Sequence, residues 1–463
     1  MTVIEIKSLF KSELLYLVLI VIFGFILYLY ILTRYVLIYG VDGPYYLIQV
    51  RSILETGKLK YDDPPLALYI FTLFTLLFGG NLTLGIKVGT AFFSAFSAAP
   101  LYFWVKKVTK SQIPGYLASL SCILSSLHLL LINSYLKMVV GTFFLFCFIY
   151  YLHCMLTEKG GIRTLIMAIS FMVLTGATHA IVFLVAFLFL VLYAIVYRLL
   201  WAGEKKVMRN LEILLFVAFF FIIVAPIFLP FFFKDYYQAL DLALSPFYRF
   251  RPQTFTSSEI ISRFLLDPMS GAAVLAAIIF GIALWIYEWR AGKKEAVLAI
   301  APVTVVGLLL LTPFIPLEWI WRFLYMEFIT IAFVLGYGFS KIQSKSILFV
   351  IALFLCFSPI IIQTVDASKT LMPTIREEDY HEIEEMRQYI PPKSVIIVNP
   401  FYSYWVEYLT RTDTAFMFSP AIWRYEHVMI LIDKLFPPTT APNATKIFEG
   451  NRFILYEIEM KPP

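Results

Sequence analysis

Eleven stretches of this chain are apolar for long enough to cross a lipid bilayer as helices, and that feature constrains the fold more than any other. A span needs about 20 mostly apolar residues, because a helix rises about 1.5 Å per residue through a hydrocarbon core about 30 Å thick. The stretches lie near 14–38, 82–105, 112–132, 138–157, 162–178, 180–200, 211–233, 271–289, 296–312, 322–340 and 346–364. Backbone polar groups in lipid have to pair within their own segment. The expected fold is therefore an α-helical polytopic membrane protein of about 11 transmembrane helices.

Composition supports this. Of 463 residues, 60% are hydrophobic and 15% charged, against about 25% charged in ordinary soluble domains. The net charge of +6 comes from short basic loops between apolar runs, and no basic, aromatic-interleaved face of a nucleic-acid binder is present. Cys122, Cys147, Cys154 and Cys356 all fall inside apolar runs. Without a CxxC or Cys/His cluster they read as small buried hydrophobes, not zinc ligands or a disulfide framework. No small-residue cleavage site follows the first apolar run, which is expected to stay as a span.

Basic loops set the orientation. Lys7 and Lys11 precede the first span, and Lys106, Lys107 and Lys110 follow the second. Further basic groups are Lys159 and Arg163, Lys205 with Lys206 and Arg209, Arg290 with Lys293 and Lys294, and Lys341 with Lys345. Every second connection is basic, which places these loops and the N-terminus in the cytoplasm. The outer face then holds the first loop (39–81), a loop at 234–270 and the C-terminal region. Residues 66–78 are apolar but too short to span, and counting them as a span would reverse the basic loops. They are expected to lie at the outer interface as a helix stopped by Gly79-Gly80.

From about Asp366 the chain becomes polar. REEDYHEIEEMRQYI reads as an amphipathic helix, SVIIVN as a buried strand and RFILYEIEM as a closing strand. YSYWVEYL and WRYEHVMILIDKLF read as helices. The expected division is a transmembrane domain at 1–365 and a small extracytoplasmic α/β domain at 366–463.

The outer stretch 39–69 is where carboxylates first gather: Asp42 with Gly43-Pro44-Tyr45-Tyr46, then Asp62-Asp63-Pro64-Pro65-Leu66. With Leu77-Phe78-Gly79-Gly80-Asn81 these segments resemble the GT-C glycosyltransferases, in particular protein O-mannosyltransferases, lipid A aminoarabinose transferases and archaeal cousins. Weaker echoes are Tyr135-Leu136-Lys137, Thr178-His179 and Trp321-Arg322-Phe323. The resemblance implies transfer of a sugar from a polyprenyl-phosphate donor to a lipid, glycan or protein acceptor on the outer face, with inversion. It places the catalytic base at Asp42. A divalent metal, if the chain uses one, would fall to Asp42 and Asp63. The chain departs from the pattern in two places. Gly43 stands where many mannosyltransferases have a second acid, and the start of the fourth span carries Lys137 but no acid.

Each candidate also has a structural role open to it. Asp42 precedes a Pro44-led helix and suits an N-cap, and the two roles can coexist. Asp63 sits in a run that makes a rigid turn by itself. Arg322, beside Trp319 and Trp321, is either an interface anchor or a bidentate ligand for the carrier phosphate. His179, Lys137 and Tyr45 are candidates for donor or substrate contact, as are Arg249 and Arg251 in the large outer loop. A transporter or flippase of lipid-linked saccharides is the rival class. It predicts inverted repeats and charges near the bilayer midplane, whereas the acids here sit in outer loops. A catalytically silent relative is the third reading.

Overall fold

A computed structural model of the chain describes residues 3–158, 160–201, 204–228, 237, 268–311, 317–436 and 444–458. The loop expected at 234–270 therefore lies almost entirely outside the described residues. The chain forms two compact units: residues 1–31, 61–71 and 87–371 make one, and residues 32–60, 72–86 and 372–463 the other.

In chain order the first helices are α1 (Val3–Thr33), α2 (Gly43–Thr56), α3 (Leu66–Leu77), α4 (Leu82–Phe96), α5 (Ala98–Thr109) and α6 (Gln112–Ile123). Next come α7 (Ser126–Ser134), α8 (Leu136–Thr157), α9 (Ile162–Thr178), α10 (Ala180–Leu200) and α11 (Lys205–Phe228). They are followed by α12 (Pro268–Arg290), α13 (Lys294–Leu310), α14 (Leu317–Met326), α15 (Phe328–Phe339) and α16 (Ser346–Thr370). Each of the eleven apolar stretches is helical over most of its described residues. Among the described residues eight helical segments have the length and apolarity of a span, and a ninth is the pair α6–α7, bent by 46°. The bend comes where the Ser125 hydroxyl accepts from the His128 amide and restarts the helix. The remaining two, α9 and α13, have 17 residues each, at the short limit for crossing the bilayer. Residues 66–77 form a helix of 12 residues, too short to span.

Helices in lipid gain little from apolar burial against one another and depend on close packing. The larger unit shows this at glycines. A Cβ at Gly336 of α15 would stand 2.8 Å from the Pro114 carbonyl of α6, and one at Gly141 of α8 would touch Val182 of α10 at 3.3 Å. Polar side chains are used as ties. Tyr28 of α1 donates to the Ile123 carbonyl at 2.8 Å. His128 Nδ1 lies 3.1 Å from the Cys122 carbonyl, and its ring stacks on Phe328 at 4.3 Å. His128 thus joins α6, α7 and α15 as a packing residue.

The smaller unit contains the sheet. Its strands are β1 (Ser394–Ile397), β2 (Asp413–Ala415), β3 (His427–Asp433), β4 (Ala444–Glu449) and β5 (Phe453–Ile458), in the order β2-β1-β3-β5-β4. β1 pairs in parallel with β2 and β3, while β5 is antiparallel to β3 and β4. Helices α17 (Glu377–Met386) and α18 (Ser403–Thr410) pack on each other, and α2 packs along α18. Val395, Ile422 and Val428 form a small core. The helix expected over WRYEHVMILIDKLF is a short 3-10 turn, Pro420–Arg424, followed by β3. β3 lies between β1 and β5, and its run Val428–Ile432 is apolar without alternation. Such a run cannot be told from a buried helix by period.

An ion-pair cluster closes one end of this sheet. Arg452, just before β5, donates to Asp433 at 3.0 Å, Asp379 at 2.5 Å and the Tyr402 hydroxyl at 2.5 Å. Glu382 accepts from the Arg452 and Phe453 amides. Burial alone would raise the Asp433 pKa, but the Arg452 guanidinium, the Leu435 amide and the Tyr402 hydroxyl outweigh it and hold the group below the ordinary carboxylate value. A carboxylate depressed in the folded state stabilises the fold above its unfolded pKa, about 3.9, and loses that contribution as pH falls through the folded value. Asp433→Asn should melt at a lower temperature than wild type near pH 7. The two melting curves should converge below about pH 4; a constant gap down to pH 2.5 would refute the linkage.

Candidate active site

Four of the candidate residues converge in the helical unit. Asp63 precedes Pro64-Pro65, which fix the extended approach to α3, and its side chain is 6% exposed. Lys137, in the first turn of α8, is 5% exposed and its ammonium pairs directly with the Asp63 carboxylate. Burial of two charges is tolerable only with such pairing. His179 caps α10, its Nδ1 accepting from the Ile181 amide at 3.2 Å. A neutral imidazole that accepts at Nδ1 carries its proton on Nε2, which is left as a donor. The positive charges of Lys137 and Arg322 both reach this ring.

Arg322 of α14 lies between two aromatic faces. Its guanidinium carbon is 4.7 Å from the Tyr135 ring and 4.5 Å from the Trp319 ring. The rings hold the guanidinium plane while leaving its edge, which carries the N–H donors, for an anion. Tyr135 stands two residues before Lys137, so one break in the chain, the α7–α8 junction, positions both cations. Lys137, Arg322 and the His179 Nε2–H make a donor set suited to a phosphate group.

Asp42 and Tyr45 belong to the other compact unit. Asp42 occupies the N-cap position of α2 with φ −80° and ψ −8°, yet its side chain makes no capping hydrogen bond. The structural role that the sequence left open is thus not the one its carboxylate performs, although the Pro-led start of the helix is as expected. Tyr45, one turn on, accepts from Gln49 at 2.9 Å and packs its ring against Tyr404 of α18 at 5.3 Å. These contacts hold α2 on α18. Arg249 and Arg251 lie outside the described residues.

Among the described residues, several buried ionisable groups in the apolar helices were not singled out from the sequence, Glu13 of α1 and Glu288 of α12 among them. Lys87 in α4 is 3% exposed and Glu327, at the break between α14 and α15, is fully buried. Charges at such positions are rare in membrane spans and commonly functional. That rule was the available signal.

A helical membrane unit with a cation cluster, joined to a small α/β unit, defines the class: a multi-pass helical membrane protein. No family model matches the chain, and no curated protein matches it. Among solved structures it is similar to the oligosaccharyltransferase of Archaeoglobus fulgidus, solved in complex with zinc and sulfate. The TM-score is 0.63 at 13% identity, over 90% of this chain and 67% of that one. The same archaeal enzyme, AglB, in complex with an inhibitory peptide and a dolichol-phosphate gives 0.63 at 11% identity, over 90% and 69%. ArnT from Cupriavidus metallidurans bound to undecaprenyl phosphate gives 0.49 at 11%, over 96% and 98%. The chain thus spans about two thirds of the archaeal enzyme, and at these identities the likeness is one of fold.

Zinc in that neighbour raises the question of a metal here. Among the described residues no three His, Cys, Asp or Glu side chains gather to hold an ion. Asp63 faces the Lys137 ammonium, a cation already placed against the carboxylate. The donor set at Asp63 does not fit a divalent metal.

Proposed function

We propose that the chain is a membrane glycosyltransferase that moves a sugar from a polyprenyl-phosphate donor to an acceptor on the outer face. The observation that carries this reading is the cluster of Lys137, Arg322 and His179 at the ends of apolar helices, in a fold shared with an enzyme that has been solved with dolichol-phosphate. In the proposed step an acceptor hydroxyl attacks the anomeric carbon and passes its proton to Asp42. The bond from that carbon to the phosphate oxygen breaks, and the polyprenyl phosphate leaves with the bonding pair. A single displacement of this kind inverts the anomeric centre. Lys137 and Arg322 neutralise the charge that grows on the leaving phosphate, and Asp63 holds the Lys137 ammonium in place. Asp42 as base requires only a carboxylate within hydrogen-bond reach of the acceptor.

The basic-loop pattern supports a cytoplasmic N-terminus with the α/β unit outside. The test is direct. Purified protein in nanodiscs is given polyprenyl-phosphate sugars of several kinds with an acceptor extract, and release of the lipid phosphate is followed. Turnover with at least one donor is expected. Movement of an intact labelled donor across the bilayer, with no release, would establish the transporter reading instead.

A further inference from the structure

The end of the sheet that the Arg452 cluster closes in the smaller unit also carries a group of exposed apolar side chains on its loops. The parallel strands β1, β2 and β3 each run into a loop at the same end. Phe401 follows β1, Phe416, Met417 and Phe418 follow β2, and Leu435 and Phe436 follow β3. These six side chains are 45–75% exposed. Large apolar residues set side by side on three adjacent loops form a patch of the sort that marks an interaction surface. At the other end, where these strands begin, lies a polar cavity of about 350 Å³ bordered by Arg387, Lys393, Arg411 and Asp413.

The chain itself shows what meets the end with the apolar loops. Residues entering this unit from span α1 reach Asp42 at the start of α2. α2 runs alongside α18 in the same direction: Tyr45 packs on Tyr404, Arg51 donates to the Tyr408 carbonyl, and Glu55 pairs with Arg411. α18 starts just after β1 ends, so Asp42 lies at the end with the apolar loops. Residues entering from span α16 arrive there too. The Thr374 hydroxyl accepts from Trp405 at the start of α18, and Asp379 pairs with Arg452 beside the end of β3. The chain segments that follow two membrane spans, α1 and α16, therefore both enter the unit at this end.

We propose that this end is a lipid-docking surface, with the loops 416–418 and 435–436 lying in the headgroup region of the outer leaflet. Phenylalanine, leucine and methionine supply the apolar contact. The inference rests on the spans and the sheet and does not depend on glycosyl transfer. Its consequence is that the end of the unit carrying Asp42 stays at the level of the lipid surface.

The test uses the full chain in phospholipid nanodiscs. Cys356→Ser removes the one half-exposed native thiol, the other three cysteines being buried. Met417→Cys, Phe436→Cys and, at the opposite end, Gln388→Cys are then spin-labelled one at a time. All three positions are exposed, so the labels leave the core intact. Labels at 417 and 436 should collide with oxygen severalfold more than with a water-soluble nickel complex, and the label at 388 should show the reverse. Nickel access at 417 and 436 equal to that at 388 would overturn the proposal. Shielding from both reagents would also overturn it, because protein and not lipid would then cover the patch.

Discussion

Lys137→Met should destabilise the protein by about 3–5 kcal/mol, the usual consequence of leaving one member of a buried ion pair without the other. Asp63 would then be a carboxylate buried at 6% exposure without the ammonium now set against it. Asp63→Asn should behave similarly, leaving the lysine charged and buried. The double variant Asp63→Asn/Lys137→Met removes both charges and keeps the volume, so it should recover most of the melting temperature, a non-additivity that a double-mutant cycle measures. Turnover separates the two roles of the lysine. If Lys137 binds the donor phosphate, the double variant folds like wild type and still has a strongly raised KM for the lipid-linked sugar. Recovery of activity together with stability would mean that the pair is structural only, and the phosphate assignment would pass to Arg322 and His179 alone.

That pair also marks where the sequence stopped being informative. The spans were legible because lipid demands long apolar runs, and the basic loops suggested which ends belong together. Asp63, Lys137 and Arg322 could be named one at a time, from prolines, from a position at a span start and from flanking tryptophans. Nothing local relates residue 63 to residue 137, since that contact depends on how helices pack, and packing in lipid turns on small residues such as Gly141, not on hydrophobic pattern. The same limit applied at β3, where a fully covered strand loses its alternation. It applied again to α2, whose partner α18 lies some 350 residues away in the chain, a separation seen directly in the Arg51–Tyr408 bond. Lys87 and Glu327 were hidden differently. Lys87 is a single charge in a long apolar run and Glu327 shares its run only with Arg322, and averaging over a span conceals both.

Asp42→Asn should lower turnover by about 10²–10⁴, the usual contribution of a positioned general base, while costing α2 no capping hydrogen bond. The second half of that expectation comes from the structure. An N-cap aspartate whose carboxylate bonds the helix amides would lose about 1 kcal/mol on truncation, but the Asp42 side chain makes no such bond. Pro44 remains to start the helix, so no capping stability is lost, and thermal melts of wild type and variant, run beside the kinetics, separate any other effect of the carboxylate on folding from its effect on turnover. KM for the donor should also hold, because the residues proposed to bind phosphate are untouched, and the loss should appear in kcat. Asp42→Glu keeps the carboxylate but moves it by about one methylene, so it should retain part of the activity, as misplacement of a reacting group is itself costly. If Asp42→Asn turned over as fast as wild type, proton transfer would lie elsewhere. If it lost melting temperature together with activity, the carboxylate would be a structural element of α2, and the role of base would need another residue.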